Sequence, residues 1–491
     1  MKSRGAIFAN IVIGGSLFIL LSWMIYLGSV SSFSKTLVFV LVAFACGVGL
    51  LIFILRCKEN IKVNISLSIL SVGFSLFLTE ILLVNFQQSV TRNLRYELTI
   101  WYQEFRDGFQ FDNRTRLQVI NDLRAKNIEA YPRIGTHYHN PHVPMNRQTD
   151  PSYIIPLSGI ENSTTVFGNE SGEWLIYQSD EHGFRNPEGL YDKDIDIVLI
   201  GDSFVQGCCV QEGEDIRGHL SDAGYTTLNL GYSGNGPLTC YATFREYVEP
   251  LKPMHVVWLF FEGNDIKNMS REMKSSILMS YLNEDFTQRL LYRQEEIQKF
   301  LIEFFERRKA EQESKNSQTS SNKSWFEGSF PEMFARISRP LLLRRTRALL
   351  NLTDIRQKMG LETHKRFQER QKQDRQKHAD KLISDEKILL LKEILNKANN
   401  KVSSWGGRFY FVSLPSWERL YRKESETEIA NEVLNVVKDL KIPTIDVYEV
   451  FIDDSDPLSF FPFRMNGHYN SKGYKKVAER IIAQIKKQGL N

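Results

Sequence analysis

Ser203 stands in Gly201-Asp202-Ser203-Phe204, directly behind the apolar run Ile195–Ile200. Such a run reads as a buried strand, and the turn after a strand is where an α/β fold exposes a nucleophile at the carboxyl edge of its sheet. Gly201 lets the backbone bend sharply there. A helix expected after the turn would aim its N–H groups back at the serine and favour negative charge. Three polar clusters lie downstream. Asn229-Leu230-Gly231-Tyr232-Ser233-Gly234-Asn235 ends the strand-like Thr226–Leu230, and Glu262-Gly263-Asn264-Asp265 follows the strand-like His255–Phe261. Asn466-Gly467-His468-Tyr469-Asn470 precedes a last amphipathic helix. A serine hydroxyl is a weak nucleophile until a base takes its proton. A tetrahedral oxyanion needs preformed donors, each worth about 3–4 kcal/mol of barrier. Asn264 can donate without carrying charge. These residue types favour acyl-ester chemistry through a serine acyl-enzyme.

The four blocks together resemble the SGNH (GDSL-type) hydrolase superfamily, membrane-anchored bacterial type, over roughly residues 180–490 with an interruption. Asp180-Glu181-His182-Gly183-Phe184-Arg185 also looks like the segment that precedes the first strand in many bacterial members. The resemblance implies Ser203 as nucleophile and His468 as general base. It implies an oxyanion hole made by the N–H groups of Ser203 and Gly234 and the side-chain amide of Asn264. Two positions depart from the pattern. The family's acid, two or three residues before the histidine, is replaced by Asn466 and Met465. Asn466 could orient the imidazole, but an amide stabilises imidazolium less than a carboxylate does. Asp453, Asp454 or Asp456 could supply the acid instead. A Ser–His dyad would work without an acid, and a decayed, non-catalytic site would need none. Glu262 stands where the family has glycine, and a carboxylate facing an oxyanion hole would oppose the charge formed there.

The elements that must position these residues alternate. Candidate strands are Asp194–Ile200, Thr226–Leu230, His255–Phe261, Arg408–Val412 and Thr444–Val447. Candidate helices lie near Pro237–Val248, Asp385–Lys401, Glu424–Leu440 and Ser471–Lys487. This order predicts a parallel sheet covered on both faces, a flavodoxin-like three-layer α/β fold. A helical insert rich in charged residues interrupts it at about residues 270–384, with Glu313–Asn322 expected as a loop and a basic helix at Arg336–Leu350. The insert is a candidate lid or cleft wall.

Upstream, Ile7–Leu27, Leu37–Leu55 and Val63–Val84 are apolar stretches of about bilayer-spanning length, so three transmembrane helices are expected within residues 1–85. Lys2 and Arg4 before the first, and Arg56, Lys58 and Lys62 between the second and third, place the N-terminus in the cytoplasm. The hydrolase-like domain, residues 181–491, is then expected outside the inner membrane. Residues 86–180 read as a juxtamembrane, β-rich extension, with short strands at Tyr153–Pro156, Thr165–Phe167 and Trp174–Tyr177.

Composition narrows the partners. A formal charge of +4 over 491 residues, with no basic stripe in the catalytic region, argues against nucleic acid. The cluster His137-Tyr138-His139-Asn140-Pro141-His142 reads as a surface loop, because its spacing is irregular and prolines interrupt it. Cys208, Cys209 and Cys240 read as small buried side chains, with a bridge to Cys240 as the alternative. No cofactor or metal motif is present. The expected function is a membrane-anchored serine esterase acting on acetyl esters of cell-surface polysaccharide, with export or modification proteins as partners. An O-acetyltransferase using the same serine and a non-catalytic carbohydrate-binding scaffold are the rivals.

Overall fold

The structure, a computed structural model, describes residues 5–17, 48–87, 110–136, 154–319, 384–424 and 427–489. Two sheets form. The smaller has β1 (Ala130–Pro132), β2 (Thr164–Val166) and β3 (Ile176–Gln178), with β1 parallel and β3 antiparallel to β2. The larger has β4 (Ile197–Ile200), β5 (Thr227–Asn229), β6 (His255–Phe261), β7 (Arg408–Leu414) and β8 (Thr444–Asp446), all pairs parallel. Their order, β5-β4-β6-β7-β8, is the flavodoxin-like doubly wound one.

Side-chain alternation divides the larger sheet between two cores. Val198, Ile200, Val256, Trp258, Phe260, Phe409 and Phe411 face one core, shared with helices Pro237–Thr243, Asp385–Ser404 and Glu428–Asp439. Ile197, Leu199, Val257, Leu259, Tyr410 and Val412 face the other, shared with Ile216–Asp222, Val447–Ile452 and Ser471–Gly489. Both faces of every central strand are therefore dry, which is why these segments read as unbroken apolar runs. The parallel α/β architecture positions the carboxyl ends of β4, β5 and β6 side by side, and the Ser203, Gly234 and Asn264 blocks follow those ends.

The insert begins as short helices, Asp265–Glu272 and Ser276–Ser280, and continues as Gln294–Thr319. This last helix runs into residues 313–319, where the sequence predicts a loop. Ile277, Tyr281, Leu290, Ile297 and Leu301 sink into the first core, so the described part of the insert is a packed wall. Glu246 fastens it by accepting from Tyr281, Thr287 and the N–H groups of Gln288 and Leu290. The basic segment Arg336–Leu350 lies outside the described residues, as does the histidine cluster 137–142.

The membrane module expected at the N-terminus is corrected. The described residues fall into two compact units, one before Arg95 and one holding every element from Arg116 onward. Among the described residues, no helix is long and apolar enough to cross a membrane. Of the first expected span only residues 7–17 are described, and they are helical. Helix Glu59–Gln87 has the length, but Lys62, Asn64, Ser66, Ser68, Ser71, Ser75 and Glu80 dilute its apolar run. Much of the first two expected spans lies outside the described residues. The orientation inferred from loop charges rested on those spans.

Candidate active site

Ser203 sits on the turn after β4. A methyl group on Gly201 would stand 2.5 Å from Val205 Cγ2 and 2.8 Å from the Leu259 carbonyl, so only glycine lets this turn pass β6. The segment then departs from the expected helix: the chain winds through turns to Cys209, and helix Ile216–Asp222 begins only after Asp215. Two features exclude a helix here. Gly207 and Cys209 take left-handed φ values of +74° and +70°. The buried Arg185 guanidinium claims carbonyls a helix would need, donating to Gln206 (3.3 Å), Gly207 (2.8 Å) and Val210 (3.1 Å). The serine therefore has no helix dipole beneath it, and Arg185 shapes its turn.

His468 Nε2 lies 2.8 Å from Ser203 Oγ. Several buried contacts hold the histidine in place. Its neighbour Tyr469 donates to the Pro415 carbonyl (2.7 Å), and Asn470 bonds Phe460 and Ser459. The Phe204 ring packs on the imidazole, with centroids 4.6 Å apart. The opposite ring nitrogen, Nδ1, meets both oxygens of Glu170 at 3.0 Å, and Glu170 also accepts the His468 backbone N–H at 2.8 Å. Burial pulls the His468 pKa down, but the charge and hydrogen bond of Glu170 outweigh it and push it up to about 9. Burial likewise opposes the Glu170 charge, and the His468 cation overcomes it, holding that carboxyl below its usual value.

Glu170 replaces the acids expected from sequence. Asn466 donates its amide to Glu418, and Asp456 pairs with Arg464. Glu170 comes from the β2–β3 hairpin, which docks on the turn that carries Ser203. Phe167, Leu175 and Tyr177 pack with Cys208 and Cys209, and Gln206 donates to the Tyr177 hydroxyl at 2.9 Å. No short-range spacing marks Glu170, since its partner is distant in sequence. Gly467 does carry a trace of it. A methyl group there would stand 2.6 Å from Glu170 Oε2. Gly467→Ala is therefore expected to push the carboxylate aside and cost about tenfold to a hundredfold in rate at unchanged thermal midpoint, measured by ester turnover beside a melting curve.

The other two blocks flank the serine turn. Tyr232 N–H bonds the Gly201 carbonyl (3.1 Å), which draws the segment after β5 against the segment after β4. Gly234 then takes φ +90°, a conformation open to glycine. Asn264 begins helix Asp265–Glu272 without capping it; its Oδ1 has no hydrogen-bond partner, and its side chain bonds the Asp202 carboxyl. Burial pushes the Asp202 and Asp265 carboxyls up, and the Asp202 charge adds to the shift at Asp265. Asp202 Oδ1 accepts the Phe204 N–H at 2.9 Å and so stiffens the turn. Glu262 does not face the site: its carboxylate binds Arg419 (2.9 Å) and the Ser416 N–H (2.8 Å) in a buried pair.

Cys208, Cys209 and Cys240 are free thiols, and Cys240 belongs to a different core from the other two. Ligand-type atoms of Glu170, Cys208, Cys209 and His468 gather beside the serine.

No protein-family model matches this chain. No curated protein matches it. Among solved structures, it is similar to an alpha/beta hydrolase enzyme from the metagenome of Lake Arreo, Spain, at 13% identity and a TM-score of 0.29, over 60% of this chain and 97% of that one.

Proposed function

We propose that this protein is a serine hydrolase of SGNH (GDSL) type that cleaves short acyl esters, acetyl esters of carbohydrate being the substrate class. The observation that carries the reading is the unbroken series Ser203 Oγ, His468 Nε2, His468 Nδ1, Glu170, with every link at 2.8–3.0 Å. In this reading Ser203 Oγ attacks the ester carbonyl as His468 Nε2 takes its proton. The resulting oxyanion is held by the N–H groups of Ser203 and Gly234 and by the Asn264 amide. His468 then gives the proton to the departing alcohol, leaving an acyl-serine, and a water activated by the same nitrogen releases the acid. Glu170 fixes the tautomer that leaves Nε2 free to accept and stabilises the imidazolium.

Water is the favoured acceptor over a sugar hydroxyl. The side chains of His468 and Glu170 are 20% and 39% exposed, so solvent reaches the base. The presence of a carboxylate on Nδ1 argues against a non-catalytic scaffold. Covalent labelling by a fluorophosphonate tests the reading: wild type should label, and Ser203→Ala should lose labelling with its melting curve unchanged. Equal labelling of both proteins would remove Ser203 as nucleophile.

A further inference from the structure

Ligand atoms of Glu170, Cys208, Cys209 and His468 all lie within 4.8 Å of one another. Consecutive side chains ordinarily diverge, in strands by pointing to opposite faces. Here the left-handed φ of +70° at Cys209 turns both sulfurs the same way. Measured from where a Cβ on Gly168 would stand, the two Sγ atoms are 3.1 and 3.7 Å distant, in space that this glycine leaves open. A cavity of about 330 Å³ is lined by Cys209, Ser171, Glu173 and Asn470.

We propose that Glu170, Cys208, Cys209 and His468 form a binding site for a soft divalent cation of the zinc class, beside this cavity, whose occupation switches the triad off. Two sulfurs, one imidazole nitrogen and one carboxylate oxygen make a four-member donor set of the kind tetrahedral zinc takes. The atoms must draw in by about 1 Å to reach zinc–ligand bonds of about 2.0–2.3 Å. Binding releases to solvent the two thiol protons, because the ligands are thiolates, and, from the protonated ring, the proton on His468 Nδ1. The metal occupies His468 Nδ1, so the ring's remaining proton sits on Nε2. That nitrogen is then a donor and cannot take the Ser203 proton. Glu170 is withdrawn from the imidazole at the same time. The switching clause rests on the esterase reading; the binding clause does not.

Cobalt(II) titration of the full, chelator-treated chain separates them. Wild type and Ser203→Ala should both show thiolate-to-cobalt charge-transfer absorption that zinc abolishes, and Cys209→Ser should bind cobalt at least tenfold more weakly. Cys208→Ser provides the same comparison should Cys209→Ser fail to fold, as judged by near-ultraviolet circular dichroism. Within wild type, zinc should lower the rate of fluorophosphonate labelling at least tenfold, and EDTA should restore it. A folded wild type without the charge-transfer band, or cobalt affinity unchanged in both cysteine variants, overturns the site. A band with zinc-insensitive labelling overturns the switch. A band in a protein that never labels supports the site and fells the esterase reading instead.

Discussion

Glu170→Gln is expected to cut ester turnover by roughly a thousandfold to ten-thousandfold, the scale seen when a triad acid becomes its amide. The amide keeps the shape but offers His468 no charge, and it can hold the ring in the wrong tautomer. A second readout sets this apart from simple damage. Glu170 is what lifts the His468 pKa to about 9 against the effect of burial. A protonated imidazole cannot accept the Ser203 proton, so the wild-type labelling rate should climb as pH rises through about 9 and then level off. In Glu170→Gln the residual rate should level off at lower pH. An unshifted profile, or rates within a factor of about three of wild type, would exclude Glu170 as the orienting acid. Asn466→Asp in the Glu170→Gln background should not restore turnover, since position 466 stands beside Glu418 and residue 170 faces His468 Nδ1.

Arg185→Met should lower stability by about 3–5 kcal/mol, the cost of breaking a buried charged network by removing one partner. Arg185 is 1% exposed and bonds three carbonyls of the serine turn, with Asp215, itself fully buried, 3.9 Å away. Methionine fills much of the volume but leaves those carbonyls without their donor and Asp215 Oδ2 without its nearby cation, while the Gly218 N–H still serves Oδ1. Urea unfolding gives the number, and fluorophosphonate labelling in the remaining folded fraction gives the consequence for Ser203. A shift below about 1 kcal/mol would mean that the turn is held without the guanidinium.

The parallel core was legible because its strands bury both faces. His255–Phe261 is apolar from Val256 to Phe261 and becomes β6 over the same residues. The serine, glycine, asparagine and histidine blocks were legible for a related reason: each closes a strand or opens a helix, and such edges converge by topology. Glu170 was not, because a hairpin outside the main sheet delivers it, and neither propensity nor period marks its reach. The turn after Ser203 reads locally as a helix start; it is overridden by Arg185, whose contacts span the sequence gap to Gln206 and Val210. Glu262 reads as an obstacle until Arg419, far along the chain, appears beside it. In each case the missing information is a long-range polar contact, which residue spacing does not encode. At the N-terminus the apolar stretches suggest membrane spans, but among the described residues no helix is long and apolar enough to cross a membrane.

The hairpin origin of Glu170 has a consequence for how the protein comes into being. Glu170 and His468 are 298 residues apart, and Ser203 stands between them in the chain. On a ribosome, the hairpin and the serine turn emerge long before His468. In the proposed chemistry, Ser203 has no base until the His468 segment docks onto the Glu170 loop. On the proposed reading, chains that stop short of His468 cannot acylate.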